Sequence, residues 1–260
     1  MSRHAVTEAI VLHTHRIGEI HKGVTLLTRD MGIVSAIAHG ALKTRSRLRS
    51  MTETFCCSRV YLYHDPVKGG YKITDMTALV FFENLRKRLS HYYTACLWAE
   101  VILRSLAAGE SDSRIYDLFL QSLTLLKGAD EPSGNVPKKV EDASLLNVQF
   151  LWRFLGHSGH RPEIDVCAAC GRHLEPDESA YMDDEAGGLV CGGCVRNGRL
   201  SMTPGSRRYL LHSSTLPLGQ AARLGLDRES LAALKQLLFE LVQSVLEVPL
   251  NSLAYVKGLA

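Results

Sequence analysis

Four cysteines set the strongest local constraint on this chain. Two residues separate Cys167 from Cys170 and Cys191 from Cys194, and 20 residues lie between the pairs. A C-x2-C-x20-C-x2-C array draws two tight turns onto one point, because two intervening residues let both sulfurs of a turn reach one ion at about 2.3 Å. Four thiolates complete a tetrahedron and leave no open position for a catalytic water. The expected cofactor is therefore one structural Zn2+ held by Cys167, Cys170, Cys191 and Cys194. Two local disulfides, or four free thiols, are the alternatives, and a reducing compartment disfavours the disulfides. His157, His160 and His173 lie near enough in sequence for one of them to replace a cysteine ligand. Cys56, Cys57 and Cys96 fall on strand or helix positions and read as small packing residues.

Hydrophobic periodicity divides the remainder. At 260 residues the chain is long enough for one large domain or two. Residues 5–80 read as β structure: AVTEAIVLHTHR, then GVTLLTRDMGIVSAIAHG with a hairpin turn at Asp30-Met31-Gly32, then TFCCSRVYLYH and YKITDMTALV around the turn cluster HDPVKGG. Five short strands in so few residues fit a small barrel. After residue 80 the period becomes helical. A first helix is expected from about Phe81 to Ala107, with Leu85, Leu89, Tyr92, Cys96 and Leu103 on one face. SRIYDLFLQSLTLL makes a second helix, residues 128–139 a loop, and SLLNVQFLWRFLGHSG a third helix, apolar nearly all round and hence buried. Thr203-Pro204 starts another helix, and Asp227 caps one carrying Leu231, Leu234, Leu238, Leu241 and Val245. The expected architecture is α+β: a barrel over 1–80, then a helical domain over 81–260 with the zinc module at about 163–200.

Charge is uneven along this plan. Residues 1–50 hold eight cations and three acids, a local +5 against +3 for the whole chain. Lys43, Arg45, Arg47 and Arg49 place a cation at every second position, and no acid occurs between Asp30 and Glu53. In an extended segment these four would line one face at about 6–7 Å spacing, a step comparable to that between phosphates of a nucleic-acid strand. Arg16, Lys22 and Arg29, from neighbouring strands, extend the candidate DNA-binding patch. Tyr61, Tyr63 and Tyr71 offer stacking faces or belong to the core, and Arg86-Lys87-Arg88 forms a second basic cluster. A solvated surface loop is the bland alternative for the basic run. With no secretory signal and no apolar run long enough to span a membrane, the expected location is cytoplasmic.

The residues of this basic region also carry a resemblance. Glu8-Ala9-Ile10-Val11-Leu12, Gly18-Glu19, Thr25-Leu26-Leu27-Thr28, Gly32, Gly40-Ala41 and Ser46-Arg47-Leu48 resemble the N-terminal region of the bacterial RecO family of recombination mediators. Phe154-Leu155-Gly156, the four cysteines, Gly187-Gly188 and the Leu246–Leu253 segment are similar to later parts of that family. The resemblance implies an OB-fold barrel followed by a helical, zinc-containing domain. It implies binding of single- and double-stranded DNA and annealing of complementary strands. The implied partners are RecR, the C-terminal tail of single-stranded DNA-binding protein and, indirectly, the RecA filament, in the bacterial cytoplasm at the nucleoid. Arg104, Arg153 and Arg223 are candidate rim cations for the acidic tail. Two departures, His21 in place of a frequent acid and Gly23 in place of an apolar residue, predict an irregular first hairpin.

Two other function classes compete with a binding protein. A nuclease or deaminase would need catalytic signatures, yet the chain has no H-x-E paired with P-C-x-x-C, no HExxH and no G-x-x-x-x-G-K-[ST]. Asp183-Asp184-Glu185 is its one acidic cluster of note and reads as an exposed loop between the cysteine pairs. A protein-interaction scaffold would make the basic run incidental.

Overall fold

The computed structural model describes residues 3–67, 69–106, 110–128, 143–196 and 200–258. The expected loop beyond Gly128 and the expected helix end at Ala107 lie outside these residues. The chain divides into two compact units, Met1–Thr124 and Leu125–Ala260.

The first unit is built on five strands whose alternating residues fill one interior. β1 (His4–Ile17) is 14 residues long, enough to pair with two neighbours in succession. It runs antiparallel to β2 (His21–Thr28) and, through its first half, to β4 (Cys57–His64). β2 continues into β3 (Gly32–Ala38), and β3 meets β5 (Tyr71–Val80) in parallel, which closes a barrel of order β1-β2-β3-β5-β4. A short helix, α1 (Leu48–Met51), lies between β3 and β4. The strand pattern predicted a small barrel, and its OB-like form is the one the family resemblance implied. Ala9, Val11, Val24, Leu26, Val34, Ala36, Val60, Leu62, Ile73 and Met76 form its core. Closure rests on three pairs, Ala36–Ala38 against Tyr71–Ile73.

Two features of the strands matter for the outer surface. The β1–β2 register slips between Val11 and His13, so Leu12 is a bulge. Ala9 and Val11 point into the core; simple alternation would send His13 and His15 there as well. The extra residue reverses the phase, so Thr14 lies opposite core residue Val24 while His13 and His15 face outward. The irregularity expected in the first hairpin is this bulge at Leu12; at His21 and Gly23 themselves the pairing is regular, with Ile17↔His21 and His15↔Gly23. At the β2–β3 turn, Gly32 has φ +66, and a Cβ there would lie 1.9 Å from the carbonyl oxygen of Glu110.

A 3-10 turn at Glu83–Lys87 precedes α2 (Leu89–Ser105), and α3 (Ser113–Gly128) follows. The expected single helix is broken because Arg88 is extended, with φ −122 and ψ 114. The break resets the helical phase. Leu89, expected on the buried face, is exposed, and Ala95, Leu97, Trp98, Val101 and Ile102 are buried instead. Phe55, in a left-handed conformation, anchors the packing, with ring centroids 5.9 Å from Tyr92 and 6.2 Å from Phe119.

The second unit is helical around a small sheet. α4 (Ala143–His157) is buried along most of its length, as its composition predicted. β6 (Ala180–Asp183), β7 (Gly188–Val190) and β8 (Ser201–Met202) form a sheet of order β7-β6-β8. α5 (Pro204–Ser213) begins on the Thr203 cap, which accepts from Ser206 N–H at 3.1 Å. α6 (Leu218–Ala221) leads to α7 (Arg228–Leu246), capped by Asp227, and α8 (Ser252–Gly258) follows. Gln149 on α4 donates to Tyr209 and Ser213 of α5, at 3.0 and 2.9 Å, so this buried polar side chain is satisfied. No helix among the described residues is long and apolar enough to cross a membrane.

Candidate nucleic-acid interface and metal centre

The basic run forms the connection from β3 into α1, whose first turn carries Arg49, and is not an extended ladder. Lys43 N–H bonds Gly40 O at 3.1 Å, Ser46 N–H bonds Lys43 O at 3.0 Å, and Arg49 N–H bonds Ser46 O at 3.2 Å. These are successive turns. Their cause is anchoring at both ends: Ala41 is fully buried in the barrel core, and Leu48 and Met51 pack against it. Leu42 N–H also bonds Ile20 O at 3.0 Å, which ties the loop to the β1–β2 turn. The Lys43, Arg45, Arg47 and Arg49 side chains are left exposed. Among the described residues, no acid pairs with any of the four. Charge without compensation on an anchored loop is an arrangement that attracts a polyanion.

The other basic candidates are placed differently. Arg16 wraps the β1–β2 turn, donating to Gly18 O at 2.9 Å and Glu19 O at 3.1 Å, and so lies at the same end of the barrel as the loop. Lys22 is 8% exposed and bonded to Glu53 at 2.7 Å. Arg86 holds the other oxygen of Glu53 at 3.1 Å. Burial pushes the Glu53 carboxyl up, and the two cations outweigh it, so its pKa falls below the ordinary range. Arg29 follows the opposite end of β2, held by Asp117 at 2.8 Å and Glu8 at 3.3 Å. Tyr61 is exposed on β4, Tyr63 lies against His4 and Lys72, and Tyr71 against His64.

In the second unit the two cysteine pairs meet. Cys167 follows a bridge between Val166 and His173, and Cys191 follows β7. Gly171 N–H bonds Cys167 O at 2.9 Å with Gly171 at φ +72, and Cys194 N–H bonds Cys191 O at 3.0 Å. Each pair is thus a closed turn. Ala168 N–H bonds Leu189 O at 2.8 Å and brings the turns together. The four sulfurs lie within 4.8 Å of one another and could hold a metal ion. A tetrahedron with arms of about 2.3 Å has edges of about 3.8 Å, so the donor set fits one four-coordinate ion. Burial pushes the Cys167 thiol up, but backbone N–H groups of Cys191, Cys170 and Ala169 outweigh it and bring it down to about 6. The adjoining sulfurs of Cys191 and Cys170 push Cys194 up to about 12. A divalent cation relieves this conflict by favouring the thiolate at every position.

The cysteine module hangs on a residue with no signal in the sequence. Arg207 of α5 is 2% exposed, and its guanidinium donates to four backbone carbonyls: Ile164 at 2.8 Å, Leu174 at 3.0 Å, Glu175 at 2.6 Å and Glu178 at 2.8 Å. A planar fork with five donors can serve four carbonyls at once; an ammonium cannot. Asp183 is also structural: buried, it accepts from Glu185 and Ala186 N–H at 3.0 Å each and so closes the β6–β7 turn, while Asp184 and Glu185 are exposed. Of the candidate rim cations, Arg153 is committed to the carbonyls of Ser213 and Leu216, at 3.2 and 2.6 Å, and Arg104 and Arg223 are exposed.

Comparison with known proteins covers nearly the whole chain. Residues 1–82 match the family model described as Recombination protein O N terminal, and residues 86–254 match Recombination protein O C terminal. A DNA repair protein RecO of Rubrobacter xylanophilus is 31% identical over 219 residues, 83% of each chain. One of Desulfatibacillum aliphaticivorans is 28% identical over 259 residues, 97% of this chain and 96% of the relative. One of Desulforudis audaxviator is 34% identical over 192 residues, 72% of this chain and 69% of the relative. With the barrel, the helical region and the cysteine cluster falling where these matches run, the chain belongs to the RecO family of DNA repair proteins.

Proposed function

We propose that this protein is a non-catalytic DNA-binding mediator whose barrel holds the nucleic-acid backbone through the loop carrying Lys43, Arg45, Arg47 and Arg49. The single observation behind this reading is four exposed cations without acidic partners on a loop anchored to an OB-like barrel. Arg16 extends the path at the β1–β2 turn. Lys22 would join it on releasing Glu53, and Arg29, at the opposite end of β2, would offer a separate contact on releasing Asp117 and Glu8. Phosphate contacts of this kind position a strand and read no bases, which suits a protein acting on any single- or double-stranded DNA. Cys167, Cys170, Cys191 and Cys194 would hold one Zn2+, which supplies a structural crosslink within the second unit. The mediator role includes annealing complementary strands. With RecR, and through the tail of single-stranded DNA-binding protein, it helps load RecA onto coated strands in the bacterial cytoplasm. No bond is broken by this chain.

Titration of single and double strands at several salt concentrations tests the reading. Each phosphate contact on a single strand contributes about −0.7 to the log–log salt slope. Replacing Arg45, Arg47 and Arg49 together by Ala should flatten that slope by roughly two units while leaving the fold intact. A folded triple variant with the parent's affinity and slope would show that the loop is only solvated surface.

A further inference from the structure

The outward face of β1 and β2 carries a feature that phosphate binding does not use. His13 and His15 are both exposed, their ring centroids 6.1 Å apart and their planes within 24° of parallel. They face outward only because of the bulge at Leu12. The His15 ring occupies the space above Gly23: a Cβ at that position would meet three of its ring atoms at 2.2–2.9 Å. The strand beneath is therefore stripped of its side chain where the ring rests, and His15 remains exposed. The register continues the surface across β2 and β3 through Gly23, Thr25, Ser35 and Ile37, a shallow floor with no charged residue. At its edge, His21 Nδ1 accepts from Gly40 N–H at 2.9 Å, two positions along β2 from Gly23, so the floor runs directly into the start of the basic loop.

We propose that His13 and His15 form a stacking platform for two consecutive bases of a single strand, with the phosphates passing to the loop. The proposal rests on the nucleic-acid reading of the barrel and adds to it a preference for unpaired bases. The ring spacing follows from residues two apart on a strand, about 6–7 Å, and an extended single strand can present its bases at the same interval. Stacking on flat rings is tolerant of sequence because every base has a π-face, whereas a base-paired duplex keeps its faces internal. Metal ligation is the other chemistry open to a histidine pair. It lacks further ligands here, since Cys167, Cys170, Cys191 and Cys194 are the group of three or more metal-ligating side chains that comes together among the described residues.

The test uses the full chain, a 20-nucleotide thymidine strand and a strand of equal length made of abasic residues, read by fluorescence anisotropy. The parent should bind the thymidine strand at least about tenfold more tightly than the abasic one, taking stacking on each imidazole at the low end of its known range. His13→Ala/His15→Ala should lose most of that ratio and keep the parent's salt slope. Gly23→Ala, which keeps both histidines but puts a methyl group where the His15 ring rests, should lose part of it, and His15→Phe should keep it. The Arg45, Arg47 and Arg49 triple variant should do the reverse, flattening the slope and preserving the ratio. A double histidine variant that retains the full thymidine-over-abasic ratio overturns the platform while leaving the phosphate reading in place. A parent that binds neither strand overturns both.

Discussion

Arg207→Ala removes a buried side chain that ties the cysteine-bearing segment to α5. Its guanidinium makes four hydrogen bonds, to Ile164, Leu174, Glu175 and Glu178. Hydrogen bonds from a charged donor contribute about 1.5–3 kcal/mol each, which taken alone would give roughly 6–12 kcal/mol. Two effects reduce that figure. Burial of the charge costs several kcal/mol in the native protein, consistent with the lowered Arg207 pKa that desolvation causes. Water entering the truncated site re-satisfies part of the carbonyl set. The net loss should be about 3–5 kcal/mol, the range for breaking a buried charged network. Arg207→Lys should lose nearly as much, because three donors radiating from one point cannot span four carbonyls. The chain's two tryptophans, Trp98 on α2 and Trp152 on α4, make the measurement specific. In a Trp98→Phe background, urea unfolding followed by fluorescence reports on the second unit alone. A midpoint giving an unfolding free energy within about 1 kcal/mol of the parent would refute the argument, since a residue that can be removed at that cost is not holding the module.

Elemental analysis of the purified protein should find about one zinc per chain, and Cys167→Ser should lower both metal content and soluble yield, because metal binding and folding of such a module are coupled; a chelated protein with undiminished stability would count against a structural metal. For the Lys22–Glu53–Arg86 cluster, the depressed carboxyl pKa means that its stabilisation is complete above the unfolded value and disappears as pH falls through the folded one. The parent should therefore exceed Glu53→Gln by about 1 kcal/mol at neutral pH, a small figure because the carboxylate is nearly half exposed. The difference should stay level down to about pH 5 and shrink below about pH 4; thermal melts followed at Trp98 that show it growing on acidification would overturn the assignment.

Features with a local cause were legible in the residues themselves. The four cysteines announce their meeting point because a two-residue spacing fixes each turn and the glycines permit it. The strands alternate visibly, and the Thr203 and Asp227 caps need only their own neighbours. Features set by long-range contacts were not. The apolar stripe drawn through Leu85, Leu89 and Tyr92 assumes one unbroken helix, and a single extended residue, Arg88, invalidates it. Lys22 and Arg29 look like free cations until Glu53 and Asp117 arrive from 31 and 88 residues away. Arg207 resembles any helix arginine in sequence, and its role depends on carbonyls 29 to 43 residues distant.

The histidines of β1 show why even an alternating strand misleads. Read by period, Ala9, Val11, His13 and His15 belong to one face, and two buried histidines would be expected to need polar partners inside the barrel. The bulge at Leu12 divides the strand into a half that fills the core and a half that serves the surface. Gly23 carries the complementary clue. Within a strand, glycine sacrifices packing and conformational entropy, and here the missing side chain is matched by the His15 ring lying in its place. Neither residue is informative alone. Taken as a pair across the β1–β2 register, they identify a surface where the barrel has exchanged ordinary side-chain cover for an exposed imidazole, beside the loop where its positive charge is concentrated.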